Sequence, residues 1–124
     1  MGTTSSTKPA SWKQAKESGT ALFSWRRSIG LSRATFAQLV NFSERSLATF
    51  EKEKELPETV RPQVTEAVRL VQALCEIVPA DELSKWLETP NPGFGGKRPW
   101  TLIQNGERDL VWEMIHQTRQ GAFA

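Results

Sequence analysis

The sequence is short of the residues that most enzymes rely on. Its 124 residues include one cysteine, Cys75, and one histidine, His116. A single cysteine excludes an internal disulfide and any cysteine-cluster zinc site. A single histidine leaves no pair to share a metal and no obvious proton shuttle. No apolar run approaches the roughly 20 residues that cross a bilayer. The opening segment MGTTSSTKPASWK lacks the apolar stretch of a secretory signal. Nowhere do apolar and polar residues alternate as they do in a half-buried strand. These absences predict a soluble, cytoplasmic, all-α protein with no cofactor, metal or membrane contact. They also argue against an enzyme, because no acid–base or nucleophile–base pair stands in a plausible site.

What is present is distributed unevenly. The apolar share of 38% supports a modest core, in one domain or two very small ones. Residues 1–54 hold nine Lys or Arg against four Glu, and residues 55–124 hold seven basic against ten acidic residues. A basic half beside an acidic half hints that the first meets a polyanion.

Helical periodicity begins near residue 20. Residues 1–19 are rich in Ser, Thr, Lys and Gly and read as a disordered tail. Leu22, Trp25 and Ile29 share one helical face, and Gly30 reads as the terminator. Ser32 is placed to cap a second helix carrying Phe36, Leu39 and Val40, and Ser43 a third carrying Leu47 and Phe50. Asn41-Phe42 is the tight connection between them, and Pro57 interrupts. Val64, Ala67, Val68, Val71, Leu74, Cys75 and Val78 then recur at helical spacing, predicting about four turns from Pro62 until Pro79. Leu70 and Ile77 broaden its apolar surface, which suits either a buried helix or a seam with a second subunit. Short helices are expected over 80–87, 100–105 and 107–119, with Gly106 and Gly121 as terminators. The glycine-rich stretch before Lys97 is no phosphate loop, since Asn91 and Arg98 stand where a Walker motif needs Gly and Ser or Thr. The division expected is a tail over 1–19, a first domain over 20–60 and a second over 61–124.

Two stretches carry a resemblance. LFSWRRSIGLSRATFAQLVNFSERSLATFEKEKELP is similar to the Xre-type helix-turn-helix of phage repressors and many bacterial regulators. Leu31-Ser32 opens the second helix, Ala37 takes the small crossing position, Phe42-Ser43 matches the turn and Glu51 the near-terminal acid. Asn41 stands where that family usually has Gly, and Asn tolerates the left-handed conformation next best. Lys52-Glu53-Lys54 replaces a later Gly, which predicts a slightly longer third helix. The resemblance implies a reading face on operator DNA made by Ser43, Glu44, Arg45, Ser46 and Thr49. It implies phosphate or base contact by Arg33 and backbone contact by Lys52 and Lys54.

The second stretch, KWLETPNPGFGGKRPWTLIQNGERDLVWEMI, resembles the toxin-binding domain shared by Xre, MbcA and ParS antitoxins. The matching residues are Trp86-Leu87, Thr89 to Pro92, Phe94 to Gly96, Pro99, Leu102-Ile103, Gly106-Glu107 and Val111. The fold implied is a helix-turn-helix bundle, a long linking helix and a small helical toxin-binding domain. The function implied is that of an antitoxin in a type II toxin–antitoxin pair. It would bind a RES-type, NAD-consuming toxin and, as a homodimer, repress its own operon. Trp86, Arg98 and Trp100 would form the toxin-binding surface. Arg119, Gly121, Ala122, Phe123 and Ala124 would close the toxin's cleft. A stand-alone dimeric repressor with no toxin partner is the alternative.

Overall fold

The computed structural model describes residues 12–121, so residues 1–11 of the expected tail and Ala122, Phe123 and Ala124 lie outside the described residues. Among the described residues seven α-helices follow one another: α1 Gly19–Ser28, α2 Arg33–Val40, α3 Glu44–Phe50, α4 Arg61–Leu74, α5 Leu83–Glu88, α6 Pro99–Gln104 and α7 Arg108–Arg119. The expected all-α class holds: among the described residues the one β-type pairing is an isolated bridge between Asn91 and Lys97. Two compact units divide between Arg69 and Leu70, inside α4, rather than at the 60/61 boundary expected from the sequence.

In the first unit the helix starts are fixed by serines. The Ser18 hydroxyl accepts from the Ala21 N–H at 3.0 Å. Ser32 accepts from Thr35 N–H at 3.1 Å and Ser43 from Ser46 N–H at 3.0 Å. Each satisfies one of the donors that a helix start leaves without an intrahelical partner. Gly30, at φ +77°, turns the chain after α1, a conformation that costs a residue with a Cβ. Asn41 ends α2 at φ 64°, ψ 40°, the left-handed residue expected of the turn.

The buried side chains of this unit include Leu22, Trp25, Phe36, Leu39, Val40, Leu47 and Val64. Trp25 meets Phe36 edge to face with ring centroids 5.8 Å apart. Arg26 and Glu51 are buried too. The Arg26 guanidinium grips the Glu51 carboxylate through Nε at 2.6 Å and Nη2 at 3.0 Å, and its Nη1 donates to the Leu31 carbonyl at 2.9 Å. One side-chain pair thus ties the end of α1, the start of the next helix and the end of α3.

Order begins earlier than residue 20. Residues 12–17 form turns, closed by Glu17 N–H to Gln14 O at 2.9 Å, and Ala15 is fully buried. The disordered-tail expectation therefore fails for residues 12–19. A polar composition hid one small apolar anchor and a cap. Gly19, the first residue of α1, donates to the Glu53 carbonyl at 3.0 Å, and a Cβ built there would overlap the Phe50 carbonyl oxygen. The chain passes too close to the end of α3 for any side chain.

α3 stops at Phe50 and is not lengthened by Lys52 to Lys54; the next N–H groups turn tightly, Lys52 to Thr49 O and Glu53 to Phe50 O. α4 ends at Leu74, before the expected Pro79, and residues 75–77 continue as turns. Val64, Ala67, Val68, Leu70, Val71, Ala73 and Leu74 are all buried within the single chain. Its exposed residues are Pro62, Gln63, Glu66 and Arg69. The apolar surface proposed as a subunit seam is therefore already covered, which removes this helix as the seam.

In the second unit a 3-10 turn over Ala80–Glu82 leads into α5. Between α5 and α6 the chain closes on Asn91. Its N–H donates to Lys97 O, its carbonyl accepts from Phe94 and Gly96, and its side-chain Oδ1 accepts from Gly93 N–H at 2.8 Å. Pro99 opens α6, where a missing N–H is harmless. Leu83, Leu87, Leu102, Val111 and Ile115 are buried there.

Candidate functional site

Each unit presents one candidate face. In the first it is the outer side of α3. A seven-residue helix has room for one inward anchor, and Leu47 is its one buried residue. Half-buried Phe42 and Phe50 brace it, with ring centroids 5.4 Å apart. Glu44, Arg45, Ser46 and Thr49 are left on the exposed side, with Lys52 exposed just beyond. The structure thus brings together most of the residues assigned to DNA. Two are partly committed elsewhere. The Ser43 hydroxyl serves the cap and lies 3.0 Å from that of Ser46. Arg33 holds the Glu51 carboxylate at 3.1 Å, with its own side chain 38% exposed. Arg33 is thereby fastened to the framework behind α3 and does not extend freely. Thr49 also donates to the Arg45 carbonyl at 3.1 Å.

In the second unit the expected surface of Trp86, Arg98 and Trp100 is only partly present. Trp86 is half-buried and meets Phe94 edge to face at 6.4 Å; Arg98 is exposed. Trp100 is 5% exposed, so it is a core residue and not a contact surface. It lies in the first turn of α6 beside buried Pro99, on the side that carries Ile103 inward. Its indole N–H is buried without an acceptor among the described residues. Arg119 is exposed but paired, its Nε 2.9 Å from the Glu76 carboxylate. Gly121 follows at φ +72°. Ala122, Phe123 and Ala124 fall outside the described residues.

The feature that the sequence reading missed is a groove of about 300 Å³ lined by Gly93, Phe94, Lys97, Leu102 and one side of α7. That side consists of Leu110, Glu113, Met114 and Gln117, at i, i+3, i+4 and i+7. The sequence shows Leu110, Val111, Met114 and Ile115 as a single apolar stripe. The structure divides it: Val111 and Ile115 are fully buried, whereas Leu110 is 42% exposed. Leu110 is the large apolar side chain most open to solvent among the described residues. Lys97 and Glu113 put one charge of each sign on the groove. An apolar floor with a polar edge is the composition of a protein-contact patch.

The groove lies wholly within residues 73–121, and these residues match the family model described as the antitoxin Xre/MbcA/ParS C-terminal toxin-binding domain. Over that stretch the chain is similar to the Xre/MbcA/ParS-type antitoxins. It is 27% identical over 96 residues to the mycobacterial cidal antitoxin MbcA of Mycobacterium bovis and of Mycobacterium tuberculosis. The aligned region spans 77% of this chain and 85% of each relative. No solved structure matches the chain. The groove is a concave apolar feature in the part of the chain that bears the toxin-binding match. No helix among the described residues is long and apolar enough to cross a membrane.

Proposed function

We propose that this chain is an antitoxin, neutralising a RES-type, NAD-consuming toxin through its second unit and repressing its own operon through its first. The observation that carries the toxin reading is the exposed face of α7, with Leu110 and Met114 lining a groove inside the toxin-binding match. A large apolar side chain left 42% exposed beside two fully buried neighbours offers apolar surface to a partner. In this reading Leu110 enters an apolar recess of the toxin, Trp86 and Arg98 flank it, and the segment from Arg119 through Phe123 reaches the NAD cleft. Arg119 must release Glu76 to do so, a small cost for an exposed ion pair, at most about 1 kcal/mol.

The DNA reading rests on the α2–α3 pair with its left-handed Asn41 and on the exposed Glu44, Arg45, Ser46, Thr49 and Lys52. Side chains of this size and polarity reach base edges and phosphates from a helix lying in the major groove. A dimer would set two such helices on paired half-sites, through a surface other than α4.

The test is co-expression with the toxin. Wild-type antitoxin should hold cellular NAD constant, whereas Leu110→Asp should weaken toxin capture at least about tenfold and let NAD fall. Leu110 is exposed, so the helical circular dichroism should not change. Full protection by Leu110→Asp overturns the groove assignment, and a constant NAD level on expression of the toxin alone overturns the RES assignment. Arg45→Ala in a gel-shift assay tests the DNA reading separately.

A further inference from the structure

A second concavity belongs to the first unit and takes no part in either face described above. Trp12, Lys13 and Lys16 come from the turn segment ahead of α1; Thr65, Val68 and Arg69 come from one side of α4. Together they line a pocket of about 220 Å³. The turn segment is held in place, because Ala15 between the two lysines is fully buried. Thr65, Val68 and Arg69 stand at i, i+3 and i+4, so they share one face of α4 by necessity.

The charged side chains that line this pocket are all of one sign. Lys13, Lys16 and Arg69 converge on it, and among the described residues none of the three has a carboxylate in ion-pair contact. Bringing three cations together without an anion is unfavourable, and more so over a partly desolvated surface. The same arrangement favours a polyvalent anion placed among them, because each ammonium or guanidinium then makes a charge-assisted hydrogen bond. The remaining lining suits something other than a bare ion. Val68 is buried at the floor, and the Trp12 indole forms a flat wall with the Lys13 ammonium 5.8 Å from its centroid. Thr65 donates its hydroxyl hydrogen to the Arg61 carbonyl at 2.8 Å, so its oxygen stays open as an acceptor.

We propose that this pocket binds an organic phosphate carrying a planar ring, of the nucleoside-phosphate class. The phosphate sits among Lys13, Lys16 and Arg69, and the ring lies between the Trp12 indole and the Val68 side chain. The pocket shares no residue with the toxin groove, so the toxin reading can fail without affecting it.

The experiment is isothermal titration of the full chain with ADP, with pyrophosphate, adenosine and a short random-sequence DNA duplex as comparison ligands. ADP should bind, and adenosine and pyrophosphate should each bind at least about tenfold more weakly. Lys16→Ala and Arg69→Gln should each lower ADP affinity about tenfold or more. Trp12→Ala should abolish the preference for ADP over pyrophosphate, and Trp12→Phe should restore most of it. The far-ultraviolet circular dichroism of every variant should match wild type, since the altered side chains are not core residues. No ADP binding at millimolar concentration overturns the proposal. Pyrophosphate binding as tight as ADP overturns the ring pocket. A loss of duplex affinity in Lys16→Ala and Arg69→Gln, with ADP binding unmoved, overturns it in favour of a DNA-backbone contact.

Discussion

Removing the Glu51 carboxylate should show how much of the first unit rests on one buried ion pair. The side chains of Glu51 and Arg26 are 2% and 5% exposed, and two N–H groups of Arg26 meet the carboxylate at 2.6 and 3.0 Å. In Glu51→Ala the guanidinium keeps just its bond to the Leu31 carbonyl and remains buried without a counter-charge. Breaking one side of a buried pair costs about 3–5 kcal/mol. Single domains are stable by roughly 5–15 kcal/mol, so the loss takes a large share of the total. The melting temperature should fall by roughly 10 °C or more. Arg33 touches the same carboxylate at 3.1 Å but is 38% exposed, so Arg33→Ala should cost less than about 1 kcal/mol. Replacing the pair together, as Arg26→Met with Glu51→Leu, should recover most of the loss, because apolar groups of similar volume leave no buried charge. Urea unfolding followed by circular dichroism measures all three. If Glu51→Ala costs no more than Arg33→Ala, the buried pair does not hold α1 to α3 as argued.

Three further substitutions have expected outcomes. Gly19→Ala puts a methyl group against the Phe50 and Glu53 carbonyls and should destabilise by about 1–3 kcal/mol; helix propensity alone predicts the opposite sign, so one urea titration decides. Trp100→Ala should cost about 3–5 kcal/mol as a core truncation, whereas Trp100→Phe should cost far less and leave toxin capture in a pull-down unchanged. Burial raises the Cys75 thiol above its ordinary value of 9.0. The folded chain therefore holds that proton longer than the unfolded chain, and the stabilising effect, intact below pH 9, is lost as pH climbs through the raised value. Unfolding free energies should accordingly drop more steeply above pH 9 in wild type than in Cys75→Ala.

The local punctuation of the fold was readable in the sequence because it depends on neighbours in the chain. Ser32 and Ser43 act on N–H groups three residues away, and Asn41 needs only its own backbone freedom. Features decided by distant partners were not readable. Nothing near Gly19 announces that the carbonyls of Phe50 and Glu53 lie against it. Arg33 looks like a free cation until Glu51 is seen in reach. Trp100 and Trp86 have similar local settings, yet one is buried and the other half-buried. On α7, adjacent apolar positions cannot be assigned to inside or outside until the other helices show where the core ends. The toxin-binding resemblance was therefore legible as a stretch of chain, whereas the face within it was not.

The loop closed on Asn91 bears on how such antitoxins change partners. Four hydrogen bonds converge on this one residue, and the contacts Phe94, Gly95 and Lys97 make inside the loop are also backbone to backbone. The spacing between α5 and α6 is thus set by the main chain and one amide side chain, before any partner arrives. Arg98, Leu110, Glu113 and Gln117 are exposed and carry none of that geometry. They can be exchanged without moving the backbone that presents them. Duplicated toxin–antitoxin pairs can then diverge in recognition one surface residue at a time, each intermediate remaining folded, while Asn91 stays fixed.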